Sequence, residues 1–250
     1  MRILSWNVRG LGAPDKHRMV KHHLGKANCD TVMLQETKCG LTEGENFIKY
    51  CRSWIGSFQV VEGLSGGLGI LWNPNKVNIK IMGKSKHWIS DHVQSKISST
   101  SFPLWNIYGP TQSPDKSKLW ELNEQISLFG SNNYIIGGDF NVILDLSEKK
   151  GGTNKISRDM VGFRDFIQGI EAVVCIPSEG WFTWTNKRLG FTNIVEHMDR
   201  FLTGSRWMME GMPIIAKTLA YCLSDHFPIM LEMGSETRWG GGYFKFQNMW

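Results

Sequence analysis

Turn-bounded β-patterning dominates this chain and restricts its fold more than any other feature. Segments rich in β-branched and aromatic residues recur at positions 2–8, 31–36, 58–62, 69–72, 77–81, 104–108, 134–140, 181–185, 198–203, 214–219 and 229–232. Most are short and bounded by Gly, Pro, Asn or Ser, which end strands and make turns. Only three stretches carry helical spacing. Asp15 precedes Met19, Val20, His23, Leu24 and Ala27 and is the expected cap of the first. Ser113-Pro114 opens a second, with Leu119, Leu122, Ile126 and Phe129 as its stripe. Ser157 opens a third, with Met160, Phe163, Ile167 and Ile170. Many strands with few helices predict an α/β fold in which sheet packs on sheet and helices lie outside.

At 250 residues, 41% hydrophobic and 20% charged, the chain has the balance of a globular protein, and eleven Trp with thirteen Phe supply bulk for its core. No repeat, low-complexity tract or central linker divides it. The one compositional break is late, at Arg238-Trp239-Gly240-Gly241-Gly242-Tyr243. One domain over residues 1–234 and a tail over 235–250 are therefore expected. The net charge of +5 suits a polyanionic partner and simple solubility equally. Cys29, Cys39, Cys51, Cys175 and Cys222 are odd in number, scattered and without CxxC spacing. That argues against a disulfide framework or zinc site and for a reducing compartment. The first residues show no basic region followed by an apolar stretch, so no signal peptide is expected there, and no run approaches the ~18 apolar residues of a membrane span.

Four motifs place a polar or charged residue at the end of an apolar strand, where the backbone is fixed and the tip meets solvent. In Ser5-Trp6-Asn7-Val8-Arg9-Gly10, alternation sets Leu4, Trp6 and Val8 on one face and Ser5, Asn7 and Arg9 on the other. Asn7 is placed to hold a carboxylate or a metal-bound water, or simply to form a turn. Glu36 ends Val32-Met33-Leu34-Gln35, where a buried acid needs a partner. A divalent cation is one choice, and a salt bridge to Lys38 is the other. In Ile135-Ile136-Gly137-Gly138-Asp139-Phe140-Asn141, extended chain would put Asp139 and Asn141 on one face, one to take a proton from water and one to donate to a phosphoryl oxygen. A Gly-Asp turn is the plainer alternative. Ser224-Asp225-His226 precedes a strand, and Asp199 lies within another. A buried Asp199 would orient His226 and hold its charged form.

Taken in order, Asn7, Glu36, Tyr108, Asp139 with Asn141, Asp199, and Asp225 with His226 resemble the ordered motif set of the endonuclease/exonuclease/phosphatase superfamily, across residues 1–232. WNVRGLG at 6–12, LQETK at 34–38, SGGLGILW at 65–72, IYGPT at 107–111, GGDFNVIL at 137–144, EKKGG at 148–152, FTWTN at 182–186 and MDRFL at 198–202 look like the endonuclease domain of plant LINE-type non-LTR retrotransposons. The tail from Phe244 to Trp250 resembles the connector toward a reverse transcriptase that this chain lacks.

That resemblance implies a DNase I-like, four-layer α/β sandwich: two packed, mostly antiparallel sheets with outer helices. It implies hydrolysis of DNA phosphodiesters with 3′-OH and 5′-phosphate ends. Glu36 would bind Mg²⁺, or Mn²⁺ in its place, with Asn7 and Asp225 assisting. Asp139 would orient or deprotonate water, Asn141 and Tyr108 would bind the scissile phosphate, and His226, held by Asp199, would stabilise charge on phosphorus. One base contributes about 10²–10⁴-fold, so metal, base and charge donors must act together. Arg9 stands where apurinic/apyrimidinic endonucleases carry an acid, which lowers metal affinity or supplies a grip on phosphate. Lys38, Lys149, Lys187 and Arg188 are further candidate phosphate contacts, and a solvated loop is the plainer reading of each loop residue. A monomer that binds DNA and no membrane, inside the cell and in the nucleus, completes the expectation. Its rivals are a catalytically silent relic and a phosphatase for small phosphoesters.

Overall fold

The computed structural model describes residues 1–60, 66–120, 122–127, 132–220 and 224–234. Two six-stranded sheets form the centre. The first runs Ile214–Thr218, Ile229–Met233, Arg2–Asn7, Thr31–Gln35, Leu68–Trp72, Ile55–Gln59. The second runs Ala172–Cys175, Asp199–Gly204, Ile135–Asp139, Ser101–Tyr108, Trp88–Ser95, Val77–Lys84. Each sheet is antiparallel except for one central parallel pair. Arg2–Asn7 lies parallel to Thr31–Gln35, and Ser101–Tyr108 lies parallel to Ile135–Asp139. A parallel pair needs a crossover, and helices Pro14–Lys26 and Ser113–Trp120 with Leu122–Ser127 supply them.

Three apolar layers separate four structural ones. Ile3, Met33, Ile70, Val93, Leu104, Ile135 and Phe201 fill the space between the sheets. Leu4, Trp6 and Val8 cover the outer face of the first sheet against Val20, Leu24 and Phe47 of the helices Pro14–Lys26 and Leu41–Tyr50. Ile136 and Leu202 do the same for the second sheet against Leu119, Ile126, Met160, Phe163 and Phe166. Each such buried side chain contributes about 1.5–3 kcal/mol. This is the expected four-layer sandwich. Ser157 caps helix Arg158–Gly169 through Met160 N, as its position predicts.

Several elements depart from expectation. Asp15 is no cap: Ala13 holds that position, Pro14 starts the helix, and Asp15 pairs with Arg18 instead. Helix Leu41–Tyr50 follows Gly40 without a side-chain cap and carries Gly44, against which the Phe58 ring packs. The strand expected at 58–62 is Ile55–Gln59, the segment at 181–185 shortens to Trp184–Thr185, and Ala172–Cys175 is an additional strand. Phe129, Cys222 and the tail at 235–250 lie outside the described residues. The four described cysteines are free.

Strand Trp88–Ser95 escapes sequence reading because an acid interrupts its apolar alternation. Asp91 is 1% exposed, on the side of Ile89 and Val93, and neither carboxylate oxygen has a hydrogen-bond partner. Burial pushes its carboxyl from 3.8 up to about 8, with Lys84 opposing weakly. The folded chain holds this proton more tightly than the unfolded one, so stability falls as pH climbs from about 4 toward 8. Asp91→Asn is expected to flatten that decline and to stabilise the protein by about 1–3 kcal/mol at pH 7. Denaturant titrations at pH 4, 6 and 8 test this; parallel pH dependences for the two proteins would refute it.

Candidate active site

The C-terminal ends of both parallel pairs point the same way and meet. Asn7 and Gln35 end one pair, and Tyr108 and Asp139 end the other. Below them a buried polar ladder joins the sheets. Gln35 Nε2 donates to Ser5 Oγ at 3.0 Å and to Asn106 Oδ1 at 2.7 Å. Asn106 Nδ2 donates to the carbonyls of Leu34 and Gly69. At the top, Asn7 Nδ2 donates to Asp139 Oδ2 at 2.8 Å and to Glu36 Oε2 at 3.3 Å. One amide thus holds two acids from opposite sheets. Gly137 makes room for this approach, since a Cβ there would lie 2.6 Å from Met33 of the facing sheet.

The strand ends turn sharply. Arg9, Glu36, Lys38 and Asn141 all take positive φ between 48° and 52°. Such backbone is uncommon for these residue types and clusters at functional sites. It also corrects one expectation: Asp139 and Asn141 share no extended face. Instead Asn141 turns back, its N donating to Asp139 Oδ1 at 2.9 Å and its Nδ2 to Gly109 O at 2.7 Å. Two lysines pin these ends. Lys16 Nζ donates to the carbonyls of Val8 and Arg9, and buried Lys116 Nζ donates to Asn141 O.

The third wall is the 224–226 loop. Ser224 Oγ donates to Asn7 O at 2.7 Å and accepts from His226 N. Trp6 Nε1 donates to His226 O, and Thr185 N to Asp225 O. His226 Nδ1 then sits 2.9 Å from Asp199 Oδ2, and Nε2 sits 3.8 Å from Asp139 Oδ2. Burial alone lowers this histidine, but Asp199 and Asp139 outweigh it and raise it to about 9. Asp139, wholly buried, is raised by that burial to about 6 despite the imidazolium nearby. Burial likewise raises the Tyr108 phenol, so it stays protonated.

Arg9, Glu36, Tyr108, Asn141 and His226 line a cavity of about 410 Å³, with Trp184, Met198 and His87 on its further walls. The salt bridge from Glu36 to Lys38 forms, at 3.0 Å. Asp225 Oδ2 accepts from Arg9 Nη1 at 3.0 Å and from Trp184 Nε1 at 3.1 Å. Lys149 belongs to the short strand Lys149–Lys150 rather than to a loop, and its ammonium is engaged by Glu196. Lys187 and Arg188 sit exposed on a hairpin beyond Trp184–Thr185. Gln35, Asn106, Lys16 and Lys116 went unread in the sequence. The available signal was a polar side chain inside an otherwise apolar strand, as at Gln35 and Asn106.

An acidic group able to hold a metal exists at Asp139, Asp199 and His226, whose ligand atoms lie within 4.8 Å of one another. There, however, Asp199 Oδ2 already sits at hydrogen-bond distance, 2.9 Å, from His226 Nδ1, and all three residues are buried. Glu36 and Asp225 offer hard carboxylate oxygens of the type Mg²⁺ or Mn²⁺ take, Asn7 orients Glu36 through Nδ2 while its Oδ1 accepts from Arg9 N, and the cations now on Glu36 and Asp225 are half-exposed side chains. Glu36 and its neighbours therefore fit a divalent ion better.

A chain with these acids, amides and a charged histidine at the crest of two packed sheets has the makings of a phosphoester hydrolase. The chain belongs to the endonuclease/exonuclease/phosphatase family, whose model matches residues 4–226. Solved structures of similar fold include the endonuclease domain of TRAS1, a telomere-specific non-LTR retrotransposon, at TM-score 0.71 and 11% identity over 93% of this chain and 97% of that one. The AP endonuclease LMAP from Leishmania major superposes at TM-score 0.75 and 15% identity, over 94% and 88% of the two chains. A curated relative, the transposon TX1 149 kDa protein of Xenopus laevis, is 25% identical over 154 residues, 57% of this chain. The aligned region is 11% of that protein's length.

The raised His226 contributes to stability fully below its ordinary 6.5, and that contribution is lost as pH rises through about 9. Imidazole NMR titration is expected to place His226 near 9, and Asp199→Asn to bring it down by more than one unit. An unshifted His226 in that variant would break the Asp199 assignment.

Proposed function

We propose that this chain is a divalent-metal-dependent endonuclease that nicks DNA, leaving 3′-OH and 5′-phosphate ends, and that it derives from a plant LINE-type retrotransposon. The supporting observation is the Asn7 amide bonded at once to Asp139 and Glu36, which converts two sheet ends into one reaction centre. Glu36 would hold Mg²⁺, or Mn²⁺, beside Asn7 and Asp225, and the bound ion supplies Lewis-acid stabilisation of the phosphate charge. Asp139, fixed by Asn7 and the Asn141 backbone, takes the proton of the attacking water. The water oxygen bonds to phosphorus and the P–O3′ bond breaks, the departing O3′ taking a proton from solvent water to end as the 3′-OH. Tyr108 and Asn141 donate to the phosphate oxygens. His226, kept charged by Asp199, meets the negative charge that grows on them.

A polymeric substrate is favoured by the hairpin that rises from the cavity wall at Trp184. Its tip exposes Lys187, Arg188, Leu189 and Phe191, the last two almost wholly in solvent. Cations interleaved with an apolar and an aromatic side chain suit phosphates and bases together. Among the described residues no helix is long and apolar enough to cross a membrane. DNA as partner, a monomer as working unit and the nucleus as its place of action follow from the same reading.

Supercoiled plasmid is expected to be nicked with Mg²⁺ and left intact in EDTA. Glu36→Gln and Asp139→Asn should each lower the rate at least ~10²-fold. The pH profile should be bell-shaped, rising as Asp139 ionises near 6 and falling as His226 deprotonates near 9. Plasmid untouched by the wild-type protein in Mg²⁺ would make the chain a silent relic. Turnover of a small phosphomonoester without DNA cleavage would make it a phosphatase.

A further inference from the structure

Arg9 is held in a position where it competes with a metal. Its Nη1 lies 3.0 Å from Asp225 Oδ2 and its Nε 3.8 Å from Glu36 Oε1, so one guanidinium spans two acids. The backbone makes this placement firm. Arg9 N donates to Asn7 Oδ1, Arg9 O accepts from Lys16 Nζ, and Gly10 N donates to Glu36 O at 2.6 Å. The side chains differ sharply in exposure: 46% for Arg9, 8% for Glu36 and 18% for Asp225. Buried carboxylates need a counter-charge at all times. A guanidinium half in water gives up little by leaving them, because exposed ion pairs are weak.

From this asymmetry we infer that Arg9 is a partner-switching cation, resting on Glu36 and Asp225 in the metal-free protein and moving to a substrate phosphate when a divalent ion takes the acids. This rests on the proposed nuclease reading and deepens it. A guanidinium in the same cavity as Tyr108, Asn141 and His226 is within the space a phosphodiester would fill, and its planar fork matches phosphate oxygens. The switch couples two ligands. The ion frees Arg9 for the phosphate, and the phosphate keeps Arg9 off the acids. Each therefore tightens the other by the same factor. Among the described residues Lys38 pairs with Glu36 Oε1 and with no second acid, so it does not link the two in this way.

The test uses Mn²⁺ and a short DNA duplex with wild type, Arg9→Gln and Arg9→Lys, the last keeping the charge without the fork. Calorimetric titration of Mn²⁺ without DNA should show Arg9→Gln binding about five- to tenfold tighter than wild type, with Arg9→Lys between them. Fluorescence anisotropy should show Arg9→Gln losing about tenfold in duplex affinity with Ca²⁺ and under twofold in EDTA. Equal Mn²⁺ affinity in wild type and Arg9→Gln would overturn the resting contact. An equal loss of duplex affinity with and without Ca²⁺ would overturn the switch. If none of the proteins bound duplex in Ca²⁺, the nuclease reading and the phosphate half of the switch would both fall. The Mn²⁺ titration would still decide the resting contact alone.

Discussion

The Asn7 side-chain amide carries the site. It sits at the end of a strand in one sheet, is 1% exposed, and donates to an acid in each sheet. Two carboxylates this close repel and are both costly to bury. An amide donating to each offsets part of both costs and fixes their separation. A hydrogen-bonded ladder beneath it, Ser5 to Gln35 to Asn106, does the same for the backbone. The inter-sheet space is thus apolar at its middle and polar at its crest. Removing the Asn7 amide would take from Asp139 Oδ2 its 2.8 Å donor, with His226 Nε2 at 3.8 Å the remaining partner among the described residues.

The two halves repeat one device. Each sheet places a single parallel pair at its centre, and each pair turns at its C-terminal end into backbone with positive φ. A lysine then clamps that turn by its carbonyls, Lys16 for the Arg9 turn and Lys116 for the Asn141 turn. Lys16 rides on the helix that follows its own strand, and Lys116 on the crossover between the second pair. Two rigid layers and two clamped turns hold donors and acids before any ligand arrives. Such preorganisation removes reorganisation cost from the chemical step.

How much of this was legible in the sequence depends on the range of each interaction. β-branched and aromatic composition between turn residues exposed the four strands of the parallel pairs, and the structure brings the residues at their ends together. Asp199 beside His226 was also foreseen, because a strand-buried acid has few uses. Elements whose packing contradicts their local signal were invisible. Helix Leu41–Tyr50 lacks a side-chain cap, and strand Trp88–Ser95 buries Asp91. The turn at Asn141 was misread as extended, since nothing local to Phe140 and Asn141 reveals that Gly109, more than thirty residues away, accepts its amide. The lysine clamps belong to the same class: their partners are backbone carbonyls, which leave no trace in residue identity.

Charge balance offsets much of the cost of a site so rich in acids. Glu36, Asp139, Asp199 and Asp225 meet Arg9, Lys38 and a charged His226. The compensation is layered by depth. Histidine is locked in the interior between Asp139 and Asp199, whereas arginine and lysine reach in from the rim. Only the rim cations can leave without exposing an uncompensated charge in the core. The ligand-exchangeable part of the site is therefore the outer acids, Glu36 and Asp225, and the fixed part is the Asp139–His226–Asp199 row. That division follows from burial alone. It sets binding at the mouth and proton handling in the floor, which is the order in which a phosphodiester entering the cavity would meet them.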